Sequence, residues 1–382
     1  MIYVDNNATT SMAVEVAQAI SQAYESAFFN PSSQHQAGQK ARRRLDDARE
    51  TILNLLGAET TRFASDRLVF TSGGTEANNL ALFGLGKETE GQIIISAVEH
   101  PSISEAADQL ASRGVKVRVL PVDGNGVIDL TKIDPLLGEP TRMVSVMLGN
   151  NETGILQPIR ELAAICRDRD VPLHVDAVQG IGKIPVNFRA LGASAMTLTP
   201  HKFHGPRGIG ALVLDDHVKL NPSMFGGSQQ LAMRPGTESV ELAIGFERAL
   251  QLAIEALPEA GPSMQTLRDR LETLLTDLIG GDEMVVIGRD GPRLPHTSNV
   301  AFPGIDRQAL VMALDMAGVA CSTGSACASG SSEPSPTLIA MGVPEDVISG
   351  SIRLSLSRFT TEPEVDEVAS RISQCVKRLR RE

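Results

Sequence analysis

Between about residues 65 and 215, short β-branched and aliphatic runs alternate with longer helical patterns. The strand candidates are 67–71, 92–96, 115–120, 142–148, 172–176, 195–199 and 210–214, with helix candidates at 75–85, 102–113 and 159–168. Such alternation predicts a mostly parallel, doubly wound α/β sheet. Several runs are apolar without period-two patterning, as expected of strands covered on both faces. Beyond this region the pattern changes. A helix at 240–256 is expected to break at Pro258 and at Gly261-Pro262, and an amphipathic stretch, 263–279, follows. Short strands (284–287, 297–302, 351–355) then mix with helices such as 307–316 and 364–379. This reads as a large domain, 11–256, and a smaller α+β domain made of 257–382 with residues 1–10.

Composition removes several classes of function. The formal charge is −11 and Trp is absent, with only two Tyr. An acidic surface with few stacking platforms argues against nucleic acid as a partner. No apolar run approaches the roughly 18 residues that cross a bilayer, so no membrane association is expected. Met1-Ile2-Tyr3-Val4-Asp5 lacks a basic and then apolar leader pattern, so no secretion signal is expected. Four Cys in 382 residues make no disulfide framework and fit reduced thiols in a cytoplasmic protein.

The polar residues of interest fall at the carboxyl ends of the strand candidates, where open α/β sheets bind ligands. Thr71-Ser72-Gly73-Gly74-Thr75-Glu76 leads into a helix. Its glycines permit close backbone approach, Thr75 is placed to cap the helix, and the helix N-terminus favours an anion such as phosphate. Other strand ends carry Glu99-His100, Asn150-Asn151-Glu152, and His174, Asp176 and Gln179. Thr199-Pro200-His201-Lys202-Phe203 follows the sixth strand, and a lysine among His, Phe and Pro can be desolvated and nucleophilic. An anion cradle, a strand-end Asp and a lysine in one crevice meet the needs of pyridoxal phosphate. Cys327 lies in a Gly/Ser-rich stretch, 321–335, too poor in large side chains to pack as a strand, and an accessible thiol there is a candidate nucleophile. Cys166 and Cys375 share helical spacing with apolar residues and read as core. Cys321, after Val319-Ala320, reads as structural.

The ordered motifs resemble those of the NifS/IscS-type cysteine desulfurases, in the fold group of class V aminotransferases. The likeness runs from Tyr3-Val4-Asp5-Asn6-Asn7-Ala8-Thr9-Thr10 through 70–76, Glu99-His100, 150–154, 174–179, His201-Lys202, Arg234-Pro235-Gly236-Thr237, Gly324-Ser325-Ala326-Cys327 and 333–335 to Ser351-Ile352-Arg353-Leu354-Ser355. It implies the type I fold of pyridoxal-phosphate-dependent transferases. Lys202 is then the Schiff-base lysine, Asp176 the partner of the ring nitrogen and Gln179 that of the phenolic oxygen. His100 stacks on the ring and shuttles protons. Gly74, Thr75, Thr199 and His201 hold the phosphate, with Thr237 arriving from the second subunit of a homodimer. Asn151 contacts cofactor and substrate, and Arg353 grips the substrate carboxylate, to which its planar fork is suited. The implied reaction removes sulfur from L-cysteine, leaving alanine and a persulfide on Cys327. The persulfide is delivered to an acceptor protein such as an iron–sulfur scaffold, and the Cys327 thiolate can transiently ligate a cluster shared with it. Two departures stand out. Residues 228–233 replace the Gln-Glu-Arg-Gly-type run, and the sequence given ends at Leu379-Arg380-Arg381-Glu382, without the tail by which longer members dock a scaffold. The alternatives on the same fold are a selenocysteine lyase and a class V aminotransferase. A thiol oxidoreductase using Cys321 and Cys327 would leave Lys202 and Asp176 without a task.

Overall fold

The computed structural model describes residues 1–26, 29–61, 65–85, 91–324 and 333–381. In chain order the elements are β1 (Ile2–Tyr3), α1 (Val14–Ser26), α2 (Gln36–Leu55), β2 (Arg67–Thr71), α3 (Gly74–Gly84), β3 (Gln92–Ser96), α4 (Pro101–Ser112), β4 (Val117–Leu120), α5 (Ile133–Leu136), β5 (Thr141–Met147), α6 (Ile159–Asp168), β6 (Leu173–Asp176), α7 (Phe188–Leu191), β7 (Ala195–Leu198) and β8 (Gly210–Leu214). There follow α8 (Val240–Ile279), β9 (Val285–Val286), β10 (Thr297–Ala301), α9 (Arg307–Met316), β11 (Val319–Ala320), α10 (Pro336–Ala340), α11 (Glu345–Ser349), β12 (Ser351–Ser355) and α12 (Glu362–Leu379).

Seven strands form the central sheet in the order β2-β8-β7-β6-β5-β3-β4. All pairs are parallel except those of β8, which runs against both neighbours. Strands β3, β6, β7 and β8 are buried on both sides, which explains their unbroken apolar runs. After β3 the chain steps outward to β4 and then returns to β5 on the other flank. The order therefore reverses between β3 and β5, and the crevice at that switch is where such sheets take ligands.

One face carries α1, α2 and the first half of α8 over Leu45, Ile52, Phe70, Val146, Val175 and Phe246. The other carries α3 and α4 over Val69, Leu80, Ile93, Ile103 and Leu212. A separate cluster gathers Val4, Leu267, Leu271, Leu310, Val319, Ile352, Leu354, Val368 and Ile372 around the three-stranded sheet β12-β10-β9. The N-terminal strand β1 pairs in parallel with β11, which ties the chain's start to this second cluster.

The break expected at Pro258 and Gly261-Pro262 does not occur, because α8 runs through both prolines as one helix of 40 residues. Each mid-helix proline costs about 3 kcal/mol. Both lie exposed, four residues apart, on the solvent side. Either side of them, Phe246, Leu250 and Ala253 bury in the first cluster, while Leu271 and Leu275 bury in the second. At about 1.5–3 kcal/mol per large apolar side chain, that burial outweighs the prolines. Helices α1 and α2 were not anticipated, although Ala41, Leu45, Ala48 and Ile52 repeat at helical spacing and are all buried.

The unusual 228–233 run has its own conformation. Gln230, Leu231 and Ala232 are successive left-handed residues with φ of 50°, 57° and 61°. The Gln230 amide faces the edge of β2. It accepts from the Phe70 N–H at 2.7 Å and donates to the Phe70 carbonyl at 2.9 Å, pairing that edge as another strand would. A left-handed non-glycine residue costs roughly 1–2 kcal/mol. Ala232 is exposed, so Ala232→Gly forfeits no packing. The variant is expected to gain roughly 0.5–1 kcal/mol after the added unfolded-state freedom is subtracted. The urea midpoint should rise, and a fall would contradict the strain assigned to this turn.

Candidate active site

The anion cradle begins where β2 ends. The cap of α3 is Gly73, not Thr75, and it supplies no side chain to the helix N-terminus. Thr75 is instead the second residue of the helix and exposed. First-turn N–H groups without a side-chain cap are the donors an anion needs. A Cβ built on Gly73 would meet nothing within 4 Å, so the space over the cradle is open. Behind it the packing is tight, since a Cβ on Gly210 would lie 2.5 Å from the Gly73 carbonyl carbon. The cradle is braced from the side. Glu76 accepts from the Ser72 N–H at 2.6 Å and from Arg234 Nε at 2.7 Å, which ties the 234–237 segment to it. Thr237, at the end of that segment, is exposed.

Asp176 closes β6 and is 6% exposed. Its Oδ2 accepts from Asn78 Nδ2 at 2.7 Å and its Oδ1 from the Val178 N–H at 3.0 Å. Asn78 Nδ2 also donates to Ser102 Oγ at 2.8 Å, and Ser102 Oγ lies 2.8 Å from His100 Nδ1. His100 is the N-cap of α4, and its Nδ1 accepts from the Ser102 N–H. An Nδ1 that accepts places the proton of the neutral ring on Nε2. Burial pushes the His100 pKa down, with Lys202 and Arg353 adding to the effect and Asp176 opposing it. The ring is therefore neutral near pH 7.

One chain of contacts thus joins the strand-end acid to the histidine through Asn78 and Ser102, neither of which the sequence reading singled out. Both are small polar residues that a helix normally carries on its surface, so nothing in the pattern marks them. Asn78→Ala leaves Asp176 with one donor fewer. A hydrogen bond to a charged group is worth about 1.5–3 kcal/mol, so affinity for a cofactor held by Asp176 should fall about tenfold or more. A titration followed by cofactor absorption reads this directly, and an unchanged Kd would take Asn78 out of the chain.

Lys202 ends a single 3-10 turn, Pro200–Lys202, after β7. Its Nζ donates to the carbonyls of Asn7 and Ala8 at 2.5 and 2.8 Å. Gln179 Nε2 donates to the same Asn7 carbonyl at 3.1 Å. Asn7 therefore organises the floor of the crevice. Its side chain reaches the Asn151 carbonyl, Thr297 Oγ1 and His296 Nε2. His201 Nδ1 is 3.1 Å from Thr9 Oγ1, and burial, then Lys202 and Arg207, lower its pKa to about 4. A neutral His201 can donate to an anion without bringing charge. Thr199 Oγ1 donates to the Ile209 carbonyl at 2.9 Å. Gly74 packs so that an added Cβ would sit 3.3 Å from Val178 and 3.6 Å from Thr199.

Arg353, in the middle of β12, is 1% exposed. It donates to the carbonyls of Asn151 and Gly324 at 3.0 Å each and to Asp5 Oδ1 at 2.7 Å. Its buried Nε has no partner among the described residues. A buried guanidinium with an unused donor is suited to a carboxylate. Beside it, Glu152 accepts from Ser335 Oγ at 2.6 Å. Glu99, just beyond β3, shares its surroundings with Asp176. Burial pushes its carboxyl up to about 8, against donation from Ser96 and the Met147 N–H.

Cys327 and residues 325–332 lie outside the described residues. Of the other thiols, Cys166 is buried in the large core, Cys375 packs against the second cluster, and Cys321 follows β11 beside that cluster. Burial raises the pKa of both Cys166 and Cys321 to about 12, so neither is a thiolate at neutral pH. His174 is fully buried with both ring nitrogens engaged, by Ser145 and Thr197, and belongs to the sheet interior.

A strand-end acid, a lysine and an uncapped helix terminus thus lie at the carboxyl ends of β6, β7 and β2 in one mostly parallel sheet, a set suited to an anionic cofactor. The chain belongs to the class-V aminotransferase family, whose pattern it matches over residues 2–368. Within that class, relatives that it matches over nearly their full length include cysteine desulfurases, NifS and IscS among them. It is 40% identical over 382 residues to a cysteine desulfurase of Trichormus azollae, covering 100% of this chain and 94% of the relative. It is 38% identical to the cysteine desulfurase NifS of Azotobacter vinelandii, covering 99% and 93%. The solved NifS-like protein from Rickettsia africae superposes with a TM-score of 0.89 at 31% identity, over 99% of each chain.

Proposed function

We propose that this enzyme is a pyridoxal 5'-phosphate-dependent cysteine desulfurase that moves the sulfur of L-cysteine onto Cys327. The observation that carries the reading is the meeting of three elements: Asn78 of α3 donates to Asp176, the uncapped α3 terminus packs on Thr199 at the head of the Lys202 turn, and the buried Arg353 donates to the Asn151 carbonyl that Asn7 also contacts. The residues fit the cofactor. Lys202 would bind it covalently, Asp176 would meet its ring nitrogen and Gln179 its phenolic oxygen. Gly74, Thr75, Thr199 and His201 would hold its phosphate, and His100 and Asn151 would lie against the ring. When bound, the cofactor supplies an electron sink for the substrate α-carbon.

The chain's own residues do the rest. Arg353 orients the substrate by its carboxylate, where the free Nε and the remaining Nη2 hydrogen make a fork. Lys202, through its Nζ, would move the α-proton. His100, neutral with its proton on Nε2, is placed to donate and recover a proton. The Cys327 thiolate attacks the substrate sulfur. A sulfur–sulfur bond forms, the carbon–sulfur bond breaks, and the carbon keeps the electron pair and takes a proton, giving alanine and a persulfide.

The Gly/Ser composition of 321–335 suits a thiol that must reach the crevice and then an acceptor. We further propose that the enzyme is a cytoplasmic homodimer in which Thr237 serves the partner's phosphate site. We assign residues 11–256 to cofactor binding and residues 1–10 with 257–382 to a smaller domain bearing the cysteine segment. An iron–sulfur scaffold protein is the acceptor we favour, and Cys327 would share a cluster with it transiently. Among the described residues no helix is long and apolar enough to cross a membrane.

Incubation of the purified protein with L-cysteine and a thiol reductant, and no keto acid, tests the reaction. Equal amounts of alanine and sulfide are expected. Alanine formed only when a keto acid is added would make the protein an aminotransferase. Turnover confined to selenocysteine would make it a lyase for that substrate.

A further inference from the structure

A second lysine lies beneath the crevice. Lys183 is only 4% exposed, and its Nζ donates to the backbone carbonyl of Lys202 at 2.6 Å. It is held there by the turns that follow β6. Gly182 has φ of 74°, and a Cβ on it would come within 3.0 Å of Phe203 and 3.1 Å of Ala253. That close packing sets the turn on which Lys183 sits against Phe203, the residue after Lys202, and the Lys183 side chain lines a small cavity with Phe203, His204, Met264 and Arg358. Lys202 is gripped from two sides, its amine by the Asn7 and Ala8 carbonyls and its backbone by Lys183.

The surroundings of Lys183 are all basic. The groups that share its electrostatic environment are Lys202, Arg358 before α12, His204 and His296. Glu15 on α1 acts on Arg358 rather than on Lys183. Burial first, and then Arg358 and Lys202, lower the Lys183 pKa to about 7. A buried ammonium that has one carbonyl acceptor and, among the described residues, no carboxylate to offset Arg358 and Lys202 is costly, so this amine changes charge near neutral pH.

We propose that Lys183 is a positioning residue for Lys202, fixing the backbone of the cofactor-linked lysine and coupling its own charge to that of the Lys202 nitrogen. The proposal rests on the assignment of Lys202 as the cofactor lysine. The coupling has a definite sign. A positive charge on Lys183 disfavours a proton on the Lys202 nitrogen, and removing Lys183 favours it.

The test uses the holoenzyme. The pH titration of its visible cofactor band is compared in wild type, Lys183→Met and Lys183→Arg, and borohydride reduction followed by peptide mapping locates the cofactor. Lys183→Met should raise the midpoint of the band by about one pH unit, a tenfold change in acid constant. Lys183→Arg, permanently charged, should leave it at or below the wild-type midpoint and serves alone if the Met variant does not fold. A Lys183→Met midpoint equal to or below that of wild type, with the label still on Lys202, would overturn the proposal and leave the cofactor assignment standing. So would an Arg variant whose midpoint rises. A label on another residue would overturn the assignment itself, and this inference with it.

Discussion

Lys202→Ala should abolish turnover of L-cysteine, by a factor on the order of 10⁴ or more, and remove the covalent bond to the cofactor. Two functions are lost at once. The amine that anchors the cofactor disappears, and so does the base that moves the α-proton. The fold should survive, because the Lys202 amine donates to the backbone carbonyls of Asn7 and Ala8 rather than filling an apolar core, and the carbonyl used by Lys183 belongs to the backbone. The decisive measurement pairs borohydride reduction and peptide mapping with a circular dichroism spectrum. A variant that keeps wild-type turnover with an intact spectrum would remove Lys202 from the centre of the scheme.

Cys327→Ala separates the two halves of the reaction. Cofactor binding should be intact and the purified variant yellow, since no cofactor contact is assigned to this thiol. Formation of alanine and sulfide from cysteine should fall about 10³-fold, because the substrate sulfur then has no nucleophile to leave with. The contrast with Cys321 sharpens the test. Burial holds the Cys321 thiol up to about 12, so Cys321→Ser should keep sulfide release within about twofold. Desulfuration by Cys327→Ala at the wild-type rate would end the persulfide assignment. A variant of Cys321 that fails as completely as Cys327→Ala would revive a two-thiol mechanism.

Much of the site was legible because chemistry at strand ends leaves marks in sequence. Arg67–Thr71, Gln92–Ser96 and Gly210–Leu214 are strands with the bounds their apolar runs predict, and the residues just beyond such strands are polar against that background. Asp176 and Lys202 announce themselves in this way. The residues that hold them do not. Asn78 and Ser102 meet Asp176 and His100 from α3 and α4, at separations of 98 residues for Asn78 to Asp176 and 24 for Asn78 to Ser102. Asn7 works through its backbone carbonyl, which every residue possesses. Lys183 looks like any other lysine until burial takes away its water.

Proline misled for a related reason. Pro258 and Pro262 are locally helix-breaking, and α8 continues because cores at both of its ends reward the helical path more than the prolines penalise it. The sequence by itself determined the periodicity, hence the parallel sheet, and the identity of the groups that can carry charge, donate or attack. Only the tertiary structure decided which of those groups lose their water and which face one another. Desolvation and pairing are properties of three-dimensional neighbourhood, and they turn His100 into a neutral donor, Lys183 into an amine titrating near neutrality and Arg353 into a buried fork with one donor to spare.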